Sequence, residues 1–224
     1  MSNPLLQILV ASVFAGVISI DLAAFGQFQL SRPVVAASLL SLLLGCPAEG
    51  VVVGLIFELL FLDSLPVGSF IPDQALFPAL TAVVIVGVGQ APGVLPVAVI
   101  VAIPSLAASR WADTQWRRSN ERIYNKAEIY LRLGRSDLAE MQHRFAVLRA
   151  GFFHFLAFLF SCSILVPVCG IVVKGIPGSP AFLTVAAAVP FLTGLAALSA
   201  DRVRRRGWIG FAVGLSFGVL TGLV

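Results

Sequence analysis

Apolar stretches in this chain are repeatedly cut short. Leu5 to Phe25 is a full-length stretch, broken only by Gln7, two serines and Asp21. Val34 to Cys46 stops at Cys46-Pro47-Ala48-Glu49-Gly50, and Val51 to Leu62 stops at a Pro-, Gly- and Ser-rich segment, Asp63 to Gln74. Ala75 to Gly89 stops at Gln90-Ala91-Pro92-Gly93, and Val94 to Ala108 resumes. A helix crossing the hydrocarbon core needs about 20 apolar residues. The first stretch meets that length and the later pieces do not. Lipid offers no hydrogen bonds to bare backbone, so breaks at Gly and Pro persist only where protein or a water-filled cavity surrounds them. The pattern predicts discontinuous or re-entrant helices in residues 1–109, and that half is where a substrate site is expected.

Composition places the chain in a membrane. Hydrophobic residues make up 58% of it and charged residues 12%, against about 25% charged in a typical soluble domain. A soluble globular enzyme, a disordered protein and a disulfide scaffold are excluded on that basis. The formal net charge of +4 marks the cytoplasmic side of a membrane protein more simply than it marks a nucleic-acid binder. Residues 110–149 hold nine Lys/Arg and five Asp/Glu, and Arg202, Arg204, Arg205 and Arg206 form a second basic cluster. The expected fold class is all-α, a polytopic integral membrane protein in the inner (plasma) membrane. Residues 110–149 and 201–206 are expected to be cytoplasmic. Met1-Ser2-Asn3-Pro4 lacks the positive n-region of a cleaved signal peptide.

Three stretches follow from this division: 1–109 with short interrupted helices, 110–149 as a basic cytoplasmic segment, and 150–224 as C-terminal spans. Trp111 and Trp116 open the basic segment, as interfacial aromatics do. Ile123, Ala127, Tyr130 and Leu131 fall on one helix face. Gly134 ends that helix and Ser136-Asp137 starts the next, so a helical hairpin on the membrane surface is expected. It serves as a docking platform for a soluble partner or as a solvated connection. Phe152 to Val173, a turn at 174–180, Ala181 to Ala200 and Gly207 to Val224 complete the chain, leaving the C-terminus outside. Gly210, Gly214, Gly218 and Gly222 recur every fourth residue and form a flat face against which another helix can pack closely.

Ionisable groups inside a membrane are costly and so are functional candidates. Glu58 lies within the Val51 to Leu62 piece, and an ionised carboxylate there must pair, take up a proton or line a polar cavity. Arg32 is its nearest basic candidate in sequence, although Arg32-Pro33 also reads as a helix start with Pro in the first turn. Asp21 lies near one end of the first span, where it reaches either a site or merely the interface. Gln27, Gln29, Asp73 and Gln74 add donors and acceptors at the edges of the same breaks. No Walker loop, dinucleotide fingerprint or zinc-protease helix motif occurs in the sequence. Cys46, Cys162 and Cys169 read as small buried hydrophobes and not as metal ligands. His143 and His154 read as interfacial histidines. No cofactor, no metal and no catalytic residue is expected.

The polar breaks bring a family into view. Phe28-Gln29-Leu30-Ser31-Arg32-Pro33-Val34-Val35-Ala36 resembles the FQFxRPLxA stretch of the mannose/fructose/sorbose family of phosphotransferase-system IIC components. Leu44-Gly45 with Gly50 to Leu59 looks like that family's LG…GIxxGGxLE run, and Pro66 to Ser69 with Pro72 to Leu76 looks like its PDxAL segment. Ala102-Ile103-Pro104 resembles its AIP, and Asn125 to Ala127 and Met141 to Gly151 also resemble stretches of that family. Residues 26–108 carry the resemblance. Gly26 and Gln27 stand where such proteins carry an acidic pair, and Arg110 stands where they carry Gln. The resemblance implies a sugar-translocating membrane subunit working with a IID-like membrane partner, and with IIB and IIA phosphocarrier domains at the cytoplasmic face. The phosphorylated histidines belong to IIA and IIB, so this chain would hold no phosphorylation site. It also implies that Glu58, Gln27, Gln29 and Asp73 line a site for a hexose-like sugar and that the chain is a homo-oligomer within its complex. Two other functions remain open: a non-transporting membrane anchor or regulatory remnant of such a complex, and an ion-coupled secondary transporter using Asp21 and Glu58.

Overall fold

A computed structural model describes residues 3–23, 28–61, 75–89 and 94–175. The residues described form seven helices: α1 (Pro4–Ala23), α2 (Pro33–Leu44), α3 (Pro47–Leu60), α4 (Leu76–Gly89), α5 (Val94–Ala102), α6 (Ser105–Arg132) and α7 (Ser136–Gly175). No strand occurs among them. Among the described residues, three helical stretches are long and apolar enough to cross a membrane: Pro4–Asp21, Val94–Arg132 and Ser136–Val173. Leu5, Leu9, Val13 and Val17 repeat every fourth residue on α1 and are all exposed, as expected of a face that meets lipid. The chain is an all-α polytopic membrane protein.

The interrupted pieces fold as short helices. At 1.5 Å per residue, the 12 residues of α2 and the 14 of α3 give about 18 and 21 Å, short of the ~30 Å core. Each opens on a proline, Pro33 and Pro47, whose missing N–H costs nothing in a first turn. Gly45 sits between them at φ 81° and donates its N–H to the Ser41 carbonyl. That left-handed conformation, open to glycine without a Cβ penalty, folds α3 back on α2.

Helix α4 is the centre of the bundle. Every residue from Leu76 to Gly87 is buried, the mark of a helix surrounded by protein on all sides. It touches each of the other six described helices. Against its far side, α1 crosses α7 where two glycines meet. A Cβ on Gly16 would stand 2.9 Å from the Gly151 carbonyl oxygen, and one on Gly151 would stand 3.1 Å from that of Gly16. Neither helix can carry a side chain at the crossing.

The basic hairpin is present, but it is not a separate surface element. Helix α6 starts at Ser105 within the last apolar piece, and α7 runs unbroken for 40 residues from Ser136 through Arg149 into the apolar stretch. Pro104 separates α5 from α6. Gly134, at φ 71°, makes the turn. Ile123 is buried, while Leu131 is 60% exposed, so the apolar face of α6 packs only over its first part. Trp116 is buried and donates its indole N–H to the Ala146 carbonyl at 3.2 Å, tying α6 to α7.

His154 is buried within the bundle. It is 1% exposed and edge-on to Phe77 of α4, with ring centroids 5.9 Å apart. Its Nδ1 lies 2.8 Å from the Ala150 carbonyl, an acceptor only, so Nδ1 carries the proton. His143 is exposed. Cys162 and Cys169 are buried, as small hydrophobes are, and Cys46 is half-buried. The turn expected at 174–180 begins later than its sequence suggested, because α7 continues through Lys174 and Gly175; residues 176–180, the stretch Ala181 to Ala200, the arginine cluster and the glycine-spaced segment lie outside the described residues.

Candidate functional site

The site is built where the turn after α1, the start of α2 and the end of α3 meet. Gly50, Gly54 and Glu58 recur every fourth residue and share one face of α3. A Cβ on Gly50 would fall on the Ser41 side chain, and one on Gly54 would stand 2.7 Å from the Cα of Val34. The two backbones therefore pack at close range. One turn further on, the same face carries the Glu58 side chain to the N-terminus of α2.

There Glu58 meets two positive partners. Its Oε1 lies 3.1 Å from Arg32 Nε. Its Oε2 accepts the Val34 backbone N–H at 3.4 Å. Val34 is in the first turn of α2, where unpaired N–H groups and the helix dipole favour an anion. Arg32 supplies no side-chain cap of its own, so the cap comes from α3. The Glu58 side chain is 17% exposed and that of Arg32 56%. A carboxylate has about four lone-pair sites, so the two bonds above leave acceptor capacity for further donors.

Asp21 organises the turn that carries Arg32. It is 6% exposed, so it does not simply reach solvent. Its Oδ1 accepts the Phe28 N–H at 2.6 Å, and its Oδ2 accepts the N–H and Oγ–H of Ser31 at 3.2 and 3.4 Å. Gln29 lies within this turn at φ 66°, an uncommon conformation for a residue other than Gly. Its carbonyl accepts the Arg32 N–H at 3.2 Å, and its side chain is exposed. Asp21 thus shapes the turn, and the turn presents Gln29 and Arg32.

Of the residues expected from sequence, Arg32 and Glu58 are joined directly, and Gln29 lies in the turn leading to Arg32. Gln27, Asp73 and Gln74 lie outside the described residues. Two contributors were not foreseen: Ser31, as a partner of Asp21, and the glycine face of α3, which was legible as small residues at four-residue spacing running into Glu58. No group of three His, Cys, Asp or Glu residues placed to hold a metal ion occurs among the described residues.

Comparison with known proteins matches residues 5–223 to the family described as "PTS system sorbose-specific iic component". The chain belongs to this IIC family. The PTS system sorbose-specific EIIC component of Lacticaseibacillus casei is 28% identical to it over 87 residues. That stretch is 38% of this chain and 31% of the relative's own length. The broken helices α2 and α3, with their buried glycine face and the Arg32–Glu58 pair, are thus the structure of a IIC family segment.

Proposed function

We propose that the chain is the sugar-translocating IIC subunit of a phosphoenolpyruvate-dependent phosphotransferase system, importing a hexose-like sugar together with a IID-like partner. The observation that carries this reading is the largely buried Glu58 carboxylate, held by Arg32 and the α2 N-terminus within a family of IIC components. Sugar hydroxyls are donors, and a fixed carboxylate with spare lone pairs is a strong, charge-assisted acceptor for them. In this reading Glu58 accepts from the sugar, Arg32 holds Glu58 in place and donates to ring or hydroxyl oxygens, and Gln29 and Gln27 supply amide contacts. Asp73 and Gln74 form part of the wall. Transport then requires that the sugar bind differently in two access states.

The basic ends of α6 and α7 face the cytoplasm in this reading and receive the IIB domain, with 201–206 on the same side. A cysteine placed at Lys126 is expected to resist a membrane-impermeant reagent applied outside intact cells. Labelling from outside contradicts the orientation.

The decisive test is uptake of labelled hexoses in cells co-expressing the chain with IID and IIB partners. Glu58→Ala and a strain with an inactive phosphorelay serve as comparisons. Uptake is expected to need both Glu58 and the relay, with Glu58→Ala still inserted in the membrane. Uptake unchanged in Glu58→Ala refutes the role of Glu58. Uptake that survives loss of the relay but collapses with an uncoupler refutes the phosphotransferase reading.

A further inference from the structure

Helices α6 and α7 leave a slot between them. It encloses about 730 Å³ and is almost wholly apolar. Ala107, Ala108 and Trp111 line it from α6, and Leu156, Phe160 and Ile164 line it from α7. Ala107 and Ala108 on α6 and Ala157 on α7 stand among the large side chains and leave an apolar trough. Among the described residues its walls are open: Phe160 is 69% exposed, Trp111 51% and Ile164 47%.

The slot has a direction. Its inner part lies among the apolar residues of both helices, and Trp111 stands where α6 turns from apolar to charged. Two turns beyond, each helix places an arginine on the same stripe. Arg118 is seven residues after Trp111 on α6, and Arg149 is seven residues before Leu156 on α7. Residues seven apart share a helix face, and two turns advance about 10 Å. Both arginines are exposed. Arg149 lies 5.8 Å from the centroid of the Phe153 ring, which holds its guanidinium close to the α7 surface. The order along the surface is therefore apolar trough, then Trp111, then two cationic side chains, the sequence of groups found on passing from a bilayer's hydrocarbon to its charged surface.

We infer that this face is a binding site for an anionic phospholipid, with an acyl chain in the Ala107–Phe160 trough, the glycerol region against Trp111, and the phosphate between Arg118 and Arg149. Charge complementarity selects the occupant. An apolar protein helix would supply no counter-charge to the two arginines, whereas a phosphatidylglycerol headgroup joins an anionic phosphate to apolar chains. The site is separate from the Arg32–Glu58 site and does not depend on what that site binds.

The test uses the full chain in lipid nanodiscs, with Trp116→Phe and Trp208→Phe leaving Trp111 as the single tryptophan. Brominated phosphatidylglycerol and brominated phosphatidylcholine are titrated as quenchers. Phosphatidylglycerol is expected to quench at a mole fraction on the order of tenfold lower, the gain of two cationic groups at a membrane surface. Arg118→Gln with Arg149→Gln is expected to bring the two lipids to equal quenching. Equal quenching in the parent protein overturns the inference, as does absence of quenching by either lipid, which would place another part of the chain or a partner over Trp111. If the tryptophan replacements disturb folding, native mass spectrometry of the unaltered protein gives the same decision. Phosphatidylglycerol adducts should outlast phosphatidylcholine adducts, and the double arginine replacement should remove the difference.

Discussion

Gly54 is the point on which the Glu58 geometry turns, and Gly54→Ala tests it. The added Cβ would stand 2.7 Å from Val34 Cα, 3.0 Å from the Pro33 carbonyl oxygen and 3.2 Å from that of Val34. These are backbone atoms, so no side-chain rotation relieves the contact. Ordinary van der Waals contact begins at 3.4 Å, so α3 must move off α2 by about 0.7 Å. The Val34 N–H to Glu58 Oε2 bond is already 3.4 Å long, and that movement takes it out of hydrogen-bond range. Overpacking of this kind costs roughly 1–3 kcal/mol, and the lost cap bond adds about 1 kcal/mol. Gly170→Ala is the internal control. That glycine is helical and exposed with nothing within 4 Å of the added carbon, so its replacement is expected to be neutral or stabilising by up to about 1 kcal/mol. The assay is thermal unfolding of both variants in the same detergent, with uptake measured in parallel. Gly54→Ala should unfold at a distinctly lower temperature and lose uptake, and Gly170→Ala should do neither. A Gly54→Ala protein with unchanged stability refutes the close α2–α3 packing and the derivation of the site from it.

Three further outcomes follow from named contacts. Asp21→Ala removes the acceptor for three hydrogen bonds to Phe28 and Ser31 and should cost about 1–3 kcal/mol in thermal unfolding; Asp21→Asn, which still accepts at one oxygen, should cost less. Arg32→Gln, Glu58→Gln and the double replacement should show a coupling of about 1 kcal/mol in a stability cycle, because the pair is 3.1 Å apart; strictly additive effects would contradict it. Gly16→Ala drives a Cβ against the Gly151 carbonyl and should destabilise the α1–α7 crossing by roughly 1–3 kcal/mol, read as a lower unfolding temperature with the membrane-inserted fraction unchanged.

The class of fold was legible in the sequence because it follows from transfer energetics. Long uncharged stretches have one favourable environment, and pieces of 12 to 14 residues between Gly and Pro cannot cross it alone. The turn positions were legible for the same local reason: Pro33 opens a helix and Gly134 adopts a positive φ by their own backbone preferences. Glu58 was singled out by charge in an apolar setting, and its partner Arg32 by proximity along the chain.

What the sequence left open depended on which surfaces meet. Asp21 looked the same whether it faced water or capped a turn, and only the return of Phe28 and Ser31 to its carboxylate decided it. His154, at the start of an apolar run, gave no sign that it would pack against Phe77 of a helix 77 residues earlier. The polar segment 110–149 carried a local helical pattern, but whether it lay apart from the membrane helices or continued them rested on the unbroken course of α7. Local preference and burial cost act through each residue's neighbours in the chain, so they can be read from order alone. The central place of α4, the glycine crossing of α1 with α7 and the meeting of Glu58 with the α2 N-terminus are contacts between distant segments, and close packing of the whole bundle selects them.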